Sequence, residues 1–297
     1  MGRSLWHKGR MSRPHNSVAG ALLGLLAFGL FAGYDMSVKF LGGGYNSFQI
    51  MFFAGLMAFP MVTAFALFSG DQGSLKPRQP RWMALRTLVI LGNGIFGTYA
   101  FATLPLAQCY AIFFCMPLFI ALLGVPLLGE KIDLLRGFAV ILGLIGVMIA
   151  LNPATARLEW AHLAAFLASG FGAMNYTILR KTGGTERTVV LMLYPMVAQL
   201  AVVSLVMPFV YVPMPLGDMA LTAFMALAGV AGSFAVIAAY RRARAIVVAP
   251  MQYSQIIWAA IFGALLFGET MSLPTILGTG LIILSGILIV ARQDHPT

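Results

Sequence analysis

A seven-residue stretch that occurs twice decides how this sequence folds. Residues 124–130 read GVPLLGE and residues 263–269 read GALLFGE, with the same residue at four of the seven positions. Each copy closes a long apolar run and is followed by another apolar run that contains a glycine, Gly146 in the first case and Gly286 in the second. The copies lie 139 residues apart, nearly half of the chain. Such spacing indicates a duplicated membrane module.

Composition places most of the chain in lipid. Hydrophobic residues make up 60% of the 297 residues and charged residues only 9%, more apolar side chain than a soluble fold of this size can bury. The formal net charge of +10 comes from short basic clusters between apolar runs, so nucleic acid is not predicted as a partner. The two cysteines, Cys109 and Cys115, share one apolar segment and are predicted to be packing residues.

Long apolar windows predict the number of helices. The basic tail 1–17 precedes an apolar run that begins at Val18 and is too long for a signal peptide, so we expect a retained first helix. Windows of about twenty apolar residues can each cross a bilayer. Ten occur, at approximately 18–40, 46–69, 84–104, 107–128, 132–151, 159–180, 188–209, 217–240, 245–267 and 272–291. They predict an all-α integral membrane protein with ten transmembrane helices.

The distribution of lysine and arginine predicts the orientation. With the N-terminus inside, 17 of the 19 basic residues fall on the cytoplasmic side, and only Lys39 and Arg157 fall outside. This bias favours ten crossings with both termini in the cytoplasm, the short tail 294–297 included.

Five helices per half make the second half enter the membrane from the opposite side. The halves 18–152 and 153–293 are therefore predicted to be inverted repeats, with Glu130 at the cytoplasmic end of helix 4 and Glu269 at the outer end of helix 9. Inverted repeats allow two conformations of similar energy, which is the physical basis of alternating access. We therefore predict a transporter. The alternative is a duplication that serves stability alone.

Residues Pro117 to Glu130, PLFIALLGVPLLGE, with the glycine-spaced helix that follows, resemble the EamA domain of the drug/metabolite transporter superfamily. The second copy keeps Gly268 and Glu269, the counterparts of Gly129 and Glu130, but has Ile256 in place of the proline. The arginine that many members carry on helix 2 is absent here.

The whole chain is most similar to aromatic amino acid exporters of the YddG type within this superfamily. The resemblance implies a bacterial inner-membrane exporter of aromatic or other large neutral amino acids and related metabolites. It also implies a central cavity, with helices 5 and 10 outside it. Two rivals remain: a multidrug or quaternary-amine exporter of the same superfamily, and a membrane scaffold or enzyme without transport.

Polar residues inside a bilayer face a cavity or another helix, because lipid offers them no partner. The candidates for the substrate cavity are Tyr34, Asn93, Tyr99, Asn175, Tyr176, Gln199, Met251, Gln252, Gln255 and Trp258. Gln252, Gln255 and Ala259 share a helical face in helix 9, and Trp258 lies beside it. Amides and rings together suit an amphipathic zwitterion. The alternative for each candidate is a bond to a neighbouring helix.

Charged residues limit the substrate further. No lysine or arginine lies near the middle of a predicted helix, so a phosphorylated substrate is not expected. Asp35 is the one candidate for coupling or for binding a cation, although a local pair with Lys39, one turn on, is favoured. Glu130 and Glu269 are interpreted as caps or gate-side contacts for the helices that follow.

The expected partners are a small-molecule substrate and the lipid bilayer. No cofactor, metal site or catalytic group is predicted, and the sequence is compatible with a monomer.

Overall fold

Helices form all of the regular structure that the computed structural model describes, which covers residues 17–68, 74–129, 134–151, 159–182, 186–242 and 248–293. Glu130 and the tails 1–16 and 294–297 lie outside these ranges. The helices are α1 (Ser17–Gly42), α2 (Ser47–Phe68), α3 (Pro80–Thr103), α4 (Leu106–Phe113), α5 (Met116–Leu128), α6 (Leu134–Leu151), α7 (Trp160–Thr182), α8 (Thr188–Val210), α9 (Leu216–Arg242), α10 (Ser254–Phe267) and α11 (Leu273–Gln293). A 3-10 turn, Ala249–Tyr253, precedes α10.

Several helices are apolar on all sides, as expected for segments that face both lipid and other helices. Six stretches within the described residues are long and apolar enough to cross a membrane. They are Val18–Gly42, Ser47–Phe65, Pro80–Thr103, Leu106–Leu128, Val189–Val210 and Leu216–Val236. The total of ten crossings stays a prediction.

Two of the predicted windows, 107–128 and 245–267, are each interrupted. The first is divided into α4 and α5 at Phe114 and Cys115, because Pro117 cannot donate the helical bond to the Phe113 carbonyl. The Ser169 hydroxyl of α7 donates to that carbonyl instead, at 3.4 Å. In the second window the 3-10 turn, which has Pro250 in its first positions, precedes α10.

The repeated motif ends a helix in each copy. Gly129 follows α5 with φ 71°, and Gly268 follows α10 with φ 64°. This left-handed conformation costs a side-chain-bearing residue about 1–2 kcal/mol but costs glycine almost nothing. The Glu269 amide then donates to the Gly263 carbonyl at 2.9 Å and closes the turn.

The last helices of the two halves, α6 and α11, cross in close contact and run antiparallel. The Ser285 hydroxyl donates to the Ala139 carbonyl at 2.6 Å, and the Thr275 hydroxyl donates to the Ala150 carbonyl at 3.4 Å. A Cβ atom on Gly146 would lie 2.8 Å from the Gly278 carbonyl oxygen, so glycine is needed at this crossing.

Equivalent helices of the two halves make equivalent contacts with the other half. Helix α1 packs on α9, and its counterpart α7 packs in the same way on α3. Phe114 and Tyr253 occupy equivalent positions 139 residues apart, and their rings meet edge to face with centroids 5.1 Å apart. This contact brings the two helix interruptions next to each other.

Candidate functional site

The end of the bundle that contains Lys39 is held by an ion pair between the halves. Lys39 Nζ lies 2.7 Å from Glu269 Oε1 and donates to the Leu104 carbonyl at 2.7 Å. Glu269 Oε2 accepts from the Leu106 amide at 3.1 Å, at the start of α4. Only 11% of the Lys39 side chain and 20% of the Glu269 side chain are exposed. Glu269 therefore caps α4 of the other half, whereas the sequence led us to expect a cap or gate-side contact for the helix that follows it.

Asp35 lies one helical turn from Lys39 but does not pair with it. Its Oδ2 accepts a hydrogen bond from the Tyr110 hydroxyl at 2.5 Å. The Gln255 side chain, which is buried, lies near the same hydroxyl. The predicted Asp35–Lys39 pair is therefore wrong, because Glu269 competes successfully for the ammonium group. Asp35 is left with the neutral phenol of Tyr110 as its hydrogen-bond partner.

At the same end, the loop between α1 and α2 is tied to α9. The Tyr45 hydroxyl donates to Asp218 Oδ2 at 2.5 Å. This bond, with some burial and the charge of Asp218, raises the pKa of Tyr45. These residues line part of a cavity of about 280 Å³ that also includes Phe40 and Val212.

The structure separates the predicted helix 9 candidates. Gln255 and Ala259 are buried in α10, whereas Gln252 and Met251 belong to the 3-10 turn, which breaks the helical face expected to join them. The Trp258 ring is 37% exposed, stacks on Phe262 and lies against Gly29 of α1.

Three predicted cavity residues make helix-to-helix contacts. Asn93 Nδ2 donates to the Ala168 carbonyl at 2.8 Å, and Gln199 Nε2 donates to the Met51 carbonyl at 3.4 Å. Tyr34 packs against Gly229 of α9. Asn93 and Gln199 therefore make the bonds between helices that the alternative predicts, whereas Tyr34 shows packing against α9.

The remaining three candidates are partly exposed or carry a polar atom without a partner. Tyr99 is 42% exposed and Tyr176 is 51% exposed, although both lie within helices, on α3 and α7. Asn175 Oδ1 is buried and has no partner among the described residues. Helix α7 therefore carries one buried acceptor without a partner and, in the next position, a half-exposed tyrosine.

Arg86, one of the basic residues predicted on the cytoplasmic side, lies within α3 and is buried in the bundle. It is the only charged residue in the buried class among the described residues, with 8% of its surface exposed. Its Nη1 donates to the Leu191 carbonyl at 2.5 Å. Pro195, four residues after Leu191, has no N–H for that carbonyl, so the guanidinium replaces a missing helical bond. Arg86 lies about 27 Å along α3 from Leu104, at 1.5 Å per residue.

Other basic residues lie at the same end as Arg86. Lys181 Nζ donates to the Leu127 carbonyl at 2.9 Å and lies 4.4 Å from the centre of the Trp82 ring. Arg187 Nη1 donates to the Ser74 carbonyl at 3.1 Å. The ends of α5 and α7 and the segments before α3 and α8 therefore meet here.

Comparison with known proteins decides the family. The model of the EamA-like transporter family matches the chain twice, over residues 18–152 and 159–291. This chain belongs to the EamA-like transporter family. It is thus a multi-pass membrane transporter, built from two EamA repeats.

The relatives of this EamA-like transporter include proteins named for one substrate. An S-adenosylmethionine uptake transporter of Rickettsia felis is 27% identical over 260 residues, covering 87% of this chain and 88% of the relative. Its namesake in Rickettsia prowazekii is 26% identical with the same coverage. An uncharacterized transporter of Helicobacter pylori strain J99 is 27% identical over 64% of this chain and 67% of that protein. These names give no support to aromatic amino acid export.

A protein of known crystal structure has the same fold. It superposes with a TM-score of 0.62 over 95% of this chain and 100% of its own, at 17% sequence identity.

Sequence reasoning missed Tyr110 and Arg86 as functional residues, and it missed the partners of Glu269. Tyr110 carried no visible signal, because a tyrosine in an apolar run is an ordinary packing residue. Glu269 was noticed, but its partners lie 230 and 163 positions away in the sequence. Arg86 could have been found from Pro195, since a proline inside a predicted helix indicates an unpaired carbonyl that needs another donor.

Proposed function

We propose that this protein is a secondary transporter of a bacterial inner membrane that carries S-adenosylmethionine or a closely similar amphipathic cation by alternating access. The two halves, 18–152 and 153–293, would form ten crossings with both termini in the cytoplasm. On this orientation the Lys39 end of the bundle faces outward, and the Arg86 end faces the cytoplasm.

The antiparallel contact of α6 with α11 supports the alternating-access part of the proposal. Helices that cross a membrane and run antiparallel can be related only by an axis in the membrane plane, which is the geometry of inverted repeats. Exchange of the shapes of the two halves would then open the bundle to one side at a time.

The choice of substrate depends on the observation that Asp35 has no basic side chain as its partner inside the bundle, among the residues that the structure describes. S-adenosylmethionine has a permanent sulfonium charge, a purine ring and an amino acid head group. A carboxylate inside a bundle is costly unless a cation meets it, and Lys39 is already paired with Glu269. The Asp35 carboxylate could therefore receive the sulfonium, with the Trp258 ring and the Gln255 amide available to the purine.

A neutral substrate is the second candidate. Aromatic amino acids, which the sequence resemblance suggested, would use the same rings and amides but would not need Asp35 for a side-chain charge. The two substrate classes therefore predict different consequences for the removal of this carboxylate.

Flux measurements in proteoliposomes test the proposal. We expect wild-type protein to exchange radiolabelled S-adenosylmethionine and to discriminate against S-adenosylhomocysteine, which keeps the purine and the head group but lacks the sulfonium. Asp35→Asn keeps an oxygen for the Tyr110 hydroxyl and removes the charge. It should lower the preference for S-adenosylmethionine by about tenfold or more, the value of a charged contact.

Phenylalanine and tryptophan serve as the neutral comparison, with and without a pH gradient. Flux of both amino acids without flux of S-adenosylmethionine would favour the second candidate. Flux of an unrelated cationic dye alone would identify a multidrug exporter, and the absence of flux for every compound would favour a scaffold.

A further inference from the structure

Buried polar atoms without a hydrogen-bond partner concentrate on two neighbouring helices at the Arg86 end of the bundle. The described residues contain six such atoms, and three of them are Arg86 Nε, Thr87 Oγ1 and Asn175 Oδ1, on α3 and α7. Native proteins leave few buried polar atoms unpaired, so three of them on two neighbouring helices require an explanation.

The register of α3 against α7 brings these atoms to the same level. A Cβ atom on Gly92 would meet the Phe171 ring at 2.9 Å, and Asn93 bonds the Ala168 carbonyl, so the helices run antiparallel. Six residues back along α3, Arg86 is therefore level with the stretch of α7 just after Asn175. Tyr176 accordingly lies within electrostatic range of Arg86.

Arg86 has donor capacity beyond its structural bond. A guanidinium carries five N–H donors in a planar fork, and the contact with the Leu191 carbonyl comes from Nη1, which leaves Nε unused. No acidic side chain pairs with Arg86 among the described residues. A buried cation without an anion is strongly unfavourable, and the partner that best fits the fork is a carboxylate.

The α7 side offers the complementary chemistry. Asn175 Oδ1 is an acceptor that would receive an N–H from an ammonium group. Tyr176 is half exposed inside a membrane helix, and its hydroxyl can donate to an anion. An acceptor opposite a cationic donor matches a molecule that carries an ammonium and a carboxylate on one carbon atom.

We infer that Arg86, Asn175 and Tyr176 form a binding site for the α-amino acid head group of the transported molecule, separate from Asp35 and its neighbours Tyr110 and Gln255. Arg86 binds the carboxylate, and Asn175 accepts from the ammonium. This inference rests on the proposed transport function.

Arg86 lies about 27 Å along α3 from Leu104, whose carbonyl bonds Lys39, and Asp35 lies about 6 Å before Lys39 on α1. The levels of Arg86 and Asp35 are therefore about 20 Å apart, so a small molecule meets the two in succession.

A purely structural role for Arg86 is the alternative, and the chain offers a direct control for it. Pro195→Ala restores an N–H four residues after Leu191 and so supplies the missing helical bond without Arg86. If Arg86 serves only the Leu191 carbonyl, the double variant Arg86→Gln/Pro195→Ala should behave as the wild type does.

The experiment measures ligand affinity of the full-length protein in detergent, from thermal shifts and from competition for flux in proteoliposomes. The ligands are pairs that differ only in the carboxylate: S-adenosylmethionine with its decarboxylated form, and tryptophan with tryptamine. We expect the wild type to prefer the carboxylate member by about tenfold or more, as a charged hydrogen bond predicts. Arg86→Gln/Pro195→Ala should lose that preference while remaining folded.

Two further variants sharpen the result. Asn175→Ala should weaken both members of each pair, because both carry the ammonium. Thr279→Val removes a buried unpartnered hydroxyl of α11 outside the cluster and should change neither affinity.

A preserved carboxylate preference in the double variant would overturn the inference. So would a wild type that prefers decarboxylated ligands or binds none of the four. Flux of an unrelated cation in that last case would leave the transporter function standing without the head-group site.

Discussion

Lys39 and Glu269 show how a single pair of residues can join the two halves of the chain. The sequence suggested Asp35 as the partner of Lys39, because residues four apart on a helix are neighbours. The partner that the structure shows is 230 positions away, and no local pattern could have identified it. Sequence reasoning thus found both charged residues, and only the tertiary structure could pair them.

The Lys39–Glu269 pair predicts unequal effects of its two single substitutions. Lys39→Met leaves the Glu269 carboxylate without its cation, in a site that is mostly buried. Glu269→Gln keeps an acceptor for the Leu106 amide and leaves Lys39 bonded to the Leu104 carbonyl. An ion pair of this intermediate burial should contribute about 1–3 kcal/mol to the free energy of unfolding. Lys39→Met should therefore lower the thermal midpoint by roughly 3–8 °C, and Glu269→Gln by less.

The double variant Lys39→Met/Glu269→Gln is the control, measured by thermal unfolding in detergent. It should recover part of the loss seen in Lys39→Met, because no unpaired charge remains. Strictly additive losses would show that the two side chains do not interact.

Among the elements, the interrupted helices are what the sequence predicted least well. Hydropathy located the apolar windows, but two of them are divided, and hydropathy does not detect a lost backbone bond. Pro117 was visible in the sequence as part of the motif. Its effect became clear only when Ser169 of α7 was seen to donate to the Phe113 carbonyl, an interaction between helices 56 positions apart.

The interruption between α4 and α5 should matter for transport more than for stability. Pro117→Ala supplies an N–H to the Phe113 carbonyl and allows α4 and α5 to join into one helix. In a helix interior alanine is more favourable than proline by up to about 3 kcal/mol. We expect the thermal midpoint to be unchanged or raised and the flux of S-adenosylmethionine to fall by roughly tenfold, because hinge positions absorb the change between conformations.

Pro126 provides a matched control for this substitution. It lies within α5, away from the interruption, so Pro126→Ala should leave flux near the wild-type value. Equal flux in the two variants would show that the interruption is not a hinge.

For the whole molecule, the duplicated motif was the most informative part of the sequence. It predicted two related halves, and the structure gives the motif a physical role, since Gly129 and Gly268 end equivalent helices in the left-handed conformation. The contact of Phe114 with Tyr253 could not be predicted, because residues beside a symmetry axis have no special composition. The orientation of the bundle across the membrane stays a prediction from the lysine and arginine distribution.

Cysteine labelling tests that orientation and the inversion of the halves together. Replacing Cys109 and Cys115, which are both fully buried, with alanine gives a background for single cysteines. Thr270→Cys reports on the Gly268 end. Lys181→Cys reports on the Gly129 end, because Lys181 bonds the Leu127 carbonyl there.

With inverted repeats and the N-terminus inside, a membrane-impermeant maleimide added to intact cells should label Thr270→Cys at once. Lys181→Cys should react only after permeabilisation. Labelling of both from the same side would mean that the two Gly-Glu ends share a compartment, and an alternating-access mechanism based on inverted halves would then have no structural basis.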